Sequence, residues 1–254
     1  MSTQGREKSR EMRAARVAEM AREQRRHRTL RLVGAVLIIG LVTAIAFAVA
    51  RSITSDGNQE ATGTVVVPAH IEDRAFPVGR ANASVTLDLY YDYMCPACGA
   101  FEHTNSDDLT RLIEDGTLRV NLHVMSFLDQ MSQGTEYSTR AANAYATVVD
   151  RAPDRVWAFH TALYANQPAE GTDGLSDEVI AEIATDARVP AGVADTFTDG
   201  VHQGWVVQST RDANDAGVSH TPTVTINGEA FTGDWSTPGR LAEAVELAAA
   251  DGQG

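Results

Sequence analysis

The sequence predicts an α/β domain in which helices cover a mixed four-stranded sheet. Two segments with strand character, Val85–Tyr91 and Leu118–Val124, flank a helical stretch, and a tight-turn signal, Asn227-Gly228, follows much later. A strand–helix–strand unit supplies two parallel strands, and the hairpin adds two antiparallel ones. Together these elements form one sheet with helices packed on it.

The first half of this domain follows from local patterns. Val65–Val67 is a short β-like run, and Val85–Tyr91 is rich in β-branched and aromatic residues. A helix is expected over about residues 96–114, because apolar residues recur along it and Gly116 follows as a stop signal. Leu118–Val124 alternates apolar and polar residues, which predicts a strand with one buried face.

A long helical block is predicted next, ahead of the second pair of strands. Ser176 is a candidate N-cap, and Gly200 and Gly204 are expected to interrupt the last helical stretch. The four predicted helical stretches are Thr139–Val149, Asp154–Asn166, Asp177–Arg188 and Ala191–Ala213.

The last part of the chain returns to strand character. Thr223–Ile226 leads into Asn227-Gly228, which favours a two-residue hairpin turn, and Ala230–Thr232 continues on the other side. A helix over residues 239–250 ends the domain.

Charge and hydropathy divide the amino-terminal part of the chain into three segments. Residues 1–31 carry ten Lys and Arg against four acids, residues 32–50 carry no charge, and residues 51–64 are polar without periodicity. Nineteen apolar residues span about 28 Å as a helix, close to the thickness of a bilayer core. We therefore predict a basic cytoplasmic tail, a transmembrane anchor and a linker.

The positive-inside rule places residues 52–254 outside the cytoplasm, in a single-pass membrane protein. A cleavable signal peptide is the alternative, since Ala48-Val49-Ala50 resembles a cleavage site. However, the lead of 31 residues and the apolar run of 19 residues are long for one.

The remaining composition excludes several functional classes. Residues 51–254 hold 11 Arg against 30 acids, which argues against a nucleic-acid-binding domain. Only two cysteines occur, Cys95 and Cys98, so a multi-disulfide scaffold and a four-cysteine zinc site are excluded. We predict no metal site and no organic cofactor.

The two cysteines lie where the first strong strand gives way to a helix. A thiol at a helix amino terminus faces unpaired N–H groups, which lower its pKa, and a second thiol one turn later can close a disulfide with it. Pro96 suits the first helical position. Two inert core thiols, or half of a metal site with His103 nearby, remain as alternatives.

The segments SVTLDLYYDYMCPACGAFE and GVSHTPTVTINGEAFTGDW resemble those of the DsbA-like thiol–disulfide oxidoreductases of the thioredoxin superfamily, in their membrane-anchored bacterial branch. The resemblance covers about residues 76–250. It implies a thioredoxin-like fold over residues 65–254, with a helical insertion at about 130–214 and the transmembrane helix in front.

The resemblance also implies the roles of individual residues. Cys95 matches the nucleophilic, solvent-facing cysteine and Cys98 the resolving one. Pro222, after Thr221, matches a cis-proline that faces the disulfide. At such a bond the neighbouring backbone groups are free to pair with a substrate peptide as an added strand.

Two positions depart from the family pattern. Where many members carry a buried acid that relays protons to the resolving thiol, this chain has Leu89, and Asp88 points to the opposite face of the strand. Proton transfer from Cys98 is then expected to use water or Asp92, and the alternative role of Asp92 is to cap or turn the strand end. His220 stands where relatives often carry Gly, and we hypothesise that it stabilises the Cys95 thiolate at mildly acidic pH, with a solvent-facing loop histidine as the alternative.

The implied activity is oxidation of thiols in exported proteins. The resemblance further implies that a quinone-linked membrane protein, DsbB-like or vitamin K epoxide reductase-like, re-oxidises the pair. Pro-Ala between the cysteines lacks the histidine of the strongest oxidants, so a disulfide reductase or isomerase is one alternative. A non-catalytic peptide-binding or chaperone module of the same fold is the other.

Overall fold

A computed structural model describes residues 65–252. The predicted tail (1–31), anchor (32–50) and linker (51–64) lie outside the described residues. Within residues 65–252, no helix combines the length and the apolar composition that crossing a membrane requires.

Five strands of the described chain form one mixed sheet in the order β1-β3-β2-β4-β5. The central pair, β2 and β3, is parallel, and every other pair is antiparallel. In chain order the strands are β1 (Phe76–Val78), β2 (Val85–Tyr91), β3 (Leu118–Val124), β4 (Thr223–Ile226) and β5 (Glu229–Ala230).

The prediction of four strands was wrong by one edge strand. β1 has three residues, one of them Pro77, and it pairs with the outer side of β3. Proline is tolerated in an edge strand because no neighbouring strand needs an N–H from the side that faces solvent. Val65–Val67, predicted as β-like, is exposed and unpaired, and its one recorded bond joins the Val66 carbonyl to His202 Nδ1 at 2.9 Å.

Seven α-helices surround the sheet within the described residues. They are α1 (Pro96–Asp115), α2 (Tyr137–Arg151), α3 (Val156–Ala165), α4 (Asp177–Asp186), α5 (Ala191–Ala194), α6 (Gln203–Asp215) and α7 (Arg240–Asp251). Short 3₁₀ turns precede or separate helices at Asp129–Ser132, Pro153–Arg155 and Phe197–Asp199.

Most of the predicted turn and cap signals are confirmed. Ser176 caps α4 by accepting the Val179 N–H, and Asn227-Gly228, both with positive φ, form the hairpin turn. Gly200 adopts φ 64° and ends a 3₁₀ turn. Gly204 was wrongly predicted as a break, because it lies in the first turn of α6, where backbone N–H groups have no partner within the helix in any case.

The sheet register brings two distant segments together at the end of β2. Alternate β2 residues face the core, and the last of them, Tyr91, leads directly to the cysteine pair. The pairing of Tyr90 with Thr223 places the segment before β4 beside that same strand end. Helix α1 packs on β3, α3 and α7, so its amino terminus is held from several sides.

Candidate active site

Cys95 lies between β2 and α1 and caps the helix with its own side chain. The chain turns at Asp92, whose carbonyl accepts the Cys95 N–H at 3.0 Å. The Cys95 Sγ then accepts the Cys98 N–H at 3.4 Å, and Pro96 occupies the first helical position. A negative charge on this sulfur is stabilised by the positive end of the helix.

The segment that precedes β4 closes the site from the opposite side. The Thr221–Pro222 peptide bond is cis, as predicted. The Cys95 thiol donates to the Thr221 carbonyl at 3.3 Å, across 126 positions of sequence. The sheet therefore brings Cys95, Cys98, Thr221 and Pro222 to one place.

The two thiols have opposite acidities. The hydrogen bond with Cys98 is the main cause that lowers the pKa of Cys95 from 9.0 to about 6; burial opposes this shift and Thr221 adds to it. Burial is also the main cause that raises the pKa of Cys98 above its ordinary value. Cys95 is thus the thiol that ionises more readily near neutral pH, and Cys98 is the one for which the protonated form is favoured.

Little of either cysteine reaches solvent. Cys95 is 6% exposed and Cys98 is 2% exposed, whereas the resemblance implies a solvent-facing first cysteine. The Thr221 segment accounts for part of this cover, because its carbonyl is bonded directly to the sulfur. A thiol that approaches Cys95 must replace or bypass this contact.

Asp92 is fully buried, and its carboxylate holds the strand end together. It accepts hydrogen bonds from the Met94 N–H at 2.8 Å, the Leu128 N–H at 3.0 Å and the Ser138 hydroxyl at 2.7 Å. Burial raises its pKa from 3.8 to about 6. These bonds match the predicted turn role. Among the described residues, no recorded hydrogen bond joins this carboxylate to Cys98.

His220 and Leu89, the positions that depart from the family pattern, lie in different environments. The His220 side chain is exposed, and only its carbonyl has a recorded bond, from the Thr223 hydroxyl. It is not among the main causes of the low Cys95 pKa, so stabilisation of the thiolate by His220 stays a hypothesis. Leu89 is buried in the core.

Asp88 points to the other face of the sheet, as its position in the strand predicts. Its carboxylate accepts bonds from Asn121, His123 and Thr225. The bond with His123 is the main cause that lowers the Asp88 pKa to about 2. Asp88 is therefore bonded within the sheet on the face away from the thiols.

Gln167, which the sequence reasoning missed, fixes the backbone around the nucleophile. It follows α3, and its Nε2 donates to the Cys95 carbonyl at 2.8 Å and to the Tyr93 carbonyl at 3.1 Å. Its amide lies so close to Gly99 that a Cβ at that position would clash with Oε1. No local signal in the sequence marks a residue 72 positions away as part of the site.

Replacing Gln167 by leucine is expected to raise the pKa of Cys95 and to lower the free energy of unfolding by about 1–3 kcal/mol. The variant keeps the size of the side chain but leaves the two carbonyls without this donor. Thiolate absorbance against pH and urea unfolding measure the two effects. The exposed Gln208→Leu is the matched control, and equal behaviour of both variants and the wild type contradicts the assignment.

No group of three or more His, Cys, Asp or Glu side chains within residues 65–252 has an arrangement that could hold a metal ion.

Comparison with known proteins assigns the family. A family model described as Thioredoxin matches residues 72–246, more than half of the chain. The oxidised DsbA of Mycobacterium tuberculosis is similar, with 28% identity and a TM-score of 0.61, over 69% of this chain and 92% of that one. MdbA, a thiol-disulfide oxidoreductase from Actinomyces oris, has 28% identity and a TM-score of 0.62, over 75% of this chain and 93% of that one.

A relative of a different kind matches this chain over only a small part of its own length. The serine/threonine-protein kinase PknE of Mycobacterium tuberculosis is 32% identical over 108 residues, 42% of this chain and 19% of that protein. This chain spans about a fifth of the length of that kinase. The name kinase refers to that protein alone. The family match, the two oxidoreductase structures and the cysteine geometry agree. This chain belongs to the thioredoxin family, and its described domain is that of a DsbA-like thiol–disulfide oxidoreductase.

Proposed function

We propose that this protein is an extracytoplasmic oxidase, whose Cys95–Cys98 disulfide accepts electrons from the thiols of exported proteins. The observation that carries the proposal is the low pKa of Cys95, about 6, at the amino terminus of α1. A stabilised thiolate favours the reduced form of the pair, and this makes the disulfide a stronger oxidant.

The reaction has two displacement steps. A substrate thiolate attacks the Cys95 sulfur, the Cys95–Cys98 bond breaks, and Cys98 leaves and gains a proton. A second substrate thiolate then attacks the sulfur of the substrate in the mixed disulfide, and Cys95 leaves as a thiolate. The substrate gains a disulfide, and the enzyme retains the two electrons. The Thr221–Pro222 backbone beside Cys95 is the proposed contact for the substrate chain.

We also propose a single-pass membrane protein with this domain outside the cytoplasm. The proposal rests on the uncharged run at 32–50 and the basic residues before it. A pair that oxidises substrates must be re-oxidised, and a quinone-linked membrane protein, DsbB-like or vitamin K epoxide reductase-like, is the proposed acceptor of its electrons. Clients would reach the acidic domain by diffusion.

The equilibrium potential of the purified protein against glutathione tests the direction of electron flow. We expect a value more oxidising than about −270 mV, because the Cys95 thiolate is stabilised at neutral pH. The fraction of reduced protein is read by thiol alkylation across a series of glutathione ratios, with a variant that lacks both cysteines as the blank.

A potential near −270 mV would overturn the oxidase and favour a reductase, in line with the Pro-Ala pair between the cysteines. A protein that never equilibrates with glutathione would point to a non-catalytic peptide-binding or chaperone module.

A further inference from the structure

A carboxylate and an imidazole are buried together beneath the cysteine pair. Glu102 of α1 is 4% exposed and His160 of α3 is fully buried, and Glu102 Oε2 lies 3.5 Å from His160 Nε2. Within the described residues, neither Glu102 oxygen nor this nitrogen has a hydrogen-bond partner, so the 3.5 Å separation is a close approach and not a hydrogen bond. Burial of such groups is unfavourable unless they pair with one another.

Glu102 of this pair lies one helical turn from Cys98. Glu102 follows Cys98 by four residues in α1, and both are buried, so the two side chains occupy neighbouring turns of one helix face. The ring of His160 is held in place by Trp157, which stacks on it with a centroid distance of 5.4 Å, and by the Tyr93 hydroxyl, 3.2 Å from Nδ1.

Thiol–disulfide exchange requires a proton at the buried sulfur of Cys98. When the Cys95–Cys98 bond breaks, Cys98 leaves inside the protein, where burial disfavours its thiolate. Leu89 occupies the position of the family's buried acid, and the oxygens of Asp92 are engaged by Met94, Leu128 and Ser138. Of Asp92, Glu102 and His160, it is the Glu102 carboxylate and the Nε2 atom of His160 that have no hydrogen-bond partner within residues 65–252.

We infer that the Glu102–His160 pair supplies the proton that Cys98 takes up when the disulfide opens, and recovers it when the disulfide forms. In the first direction, an attacking thiolate bonds to the Cys95 sulfur, the electron pair of the broken bond goes to Cys98, and a proton moves from the pair to that sulfur. The inference rests on the proposed exchange reaction, but it holds for either direction of net electron flow.

Within residues 65–252, no recorded partner of the pair is a Lys or Arg. The titratable groups that approach the pair or Cys98 from the packed elements are Tyr91, Asp92, Tyr93 and Tyr164, and Tyr145 packs behind Tyr91 and Tyr93. Burial raises the pKa of all four tyrosines above its ordinary value, which makes them poor proton donors at neutral pH.

Single-turnover reduction of the oxidised protein by excess dithiothreitol tests the inference. The rate is measured from pH 5 to 9 and divided by the thiolate fraction of the reagent. We expect Glu102→Gln to slow this corrected rate about tenfold at neutral pH and to flatten its pH profile, since a general acid contributes about 10²-fold or more. Glu114→Gln removes an exposed carboxylate from the same helix and is expected to match the wild type.

The outcomes separate this inference from the proposed function. A wild type that dithiothreitol does not reduce refutes the function itself. If the wild type is reduced and Glu102→Gln follows it at every pH, only the inference fails. A uniform slowing with a shifted Cys95 pKa assigns Glu102 a structural role and also overturns it. Should Glu102→Gln fail to fold, His160→Gln takes its place with the same expected loss of the pH profile.

Discussion

Cys95→Ser is expected to abolish thiol–disulfide exchange, with the rate falling about 10³-fold or more. The sulfur at the amino terminus of α1 is the atom attacked in the first step and released in the second, and a hydroxyl cannot form a disulfide. Oxidation of a reduced, unfolded substrate protein by the oxidised enzyme, followed by alkylation of the remaining thiols, measures the loss.

Cys98→Ser is the matched variant for this experiment. It keeps the Cys95 thiol but lacks the resolving one. With a substrate that already holds a disulfide, the Cys95 thiolate is expected to bond to one substrate sulfur while the other leaves as a thiolate, and this mixed disulfide is expected to accumulate. If the Cys95→Ser protein oxidises substrate as fast as the wild type, the thiol chemistry assigned to this site is wrong.

Alkylation of the reduced protein by iodoacetamide is expected to follow a titration with its midpoint near pH 6. The Cys98 hydrogen bond and the helix terminus lower the pKa of Cys95 from 9.0 to about 6. Cys95 is therefore about nine-tenths thiolate at pH 7, where an ordinary cysteine is only a few per cent ionised. Mass spectrometry of the labelled peptide distinguishes Cys95 from Cys98, which is expected to resist the reagent.

The same shift predicts how the stability of the reduced protein changes with pH. A thiol whose pKa is lower in the folded state contributes stability that is complete above its unfolded pKa of about 9 and is lost as the pH falls through 6. The reduced protein should therefore lose stability relative to the Cys95→Ser variant between pH 9 and 6.

In the alkylation experiment, the protein unfolded in guanidinium serves as the control. A titration midpoint above pH 8 for the folded protein would contradict the low pKa assigned to Cys95.

The central part of the fold was predictable because its signals are local. The alternation in Val85–Tyr91 and Leu118–Val124 and the Asn227-Gly228 turn each act over a few residues. β1 was not predictable in this way: three residues that include Pro77 have no pattern of their own and become a strand only because β3 offers an edge.

The same division applies to the site. Cys95, Cys98 and Pro222 are marked by short motifs, and the structure brings them together. The 6% exposure of Cys95 and the contacts of Gln167 depend on the packing of distant segments, which no window of sequence contains. Glu102 did carry a signal, since a carboxylate four residues after Cys98 on an amphipathic helix is expected on the same face. Its burial and its partner His160 were not visible in the sequence.

The bond between Cys95 and Thr221 spans 126 residues, and this has a consequence for biosynthesis. The ribosome releases Cys95 long before it has made Thr221, so the growing chain carries this thiol for a time without one of the groups that make it acidic. The full lowering of the Cys95 pKa therefore comes only after the carboxy-terminal strands have joined the sheet. By then the folded domain can also shield the thiol.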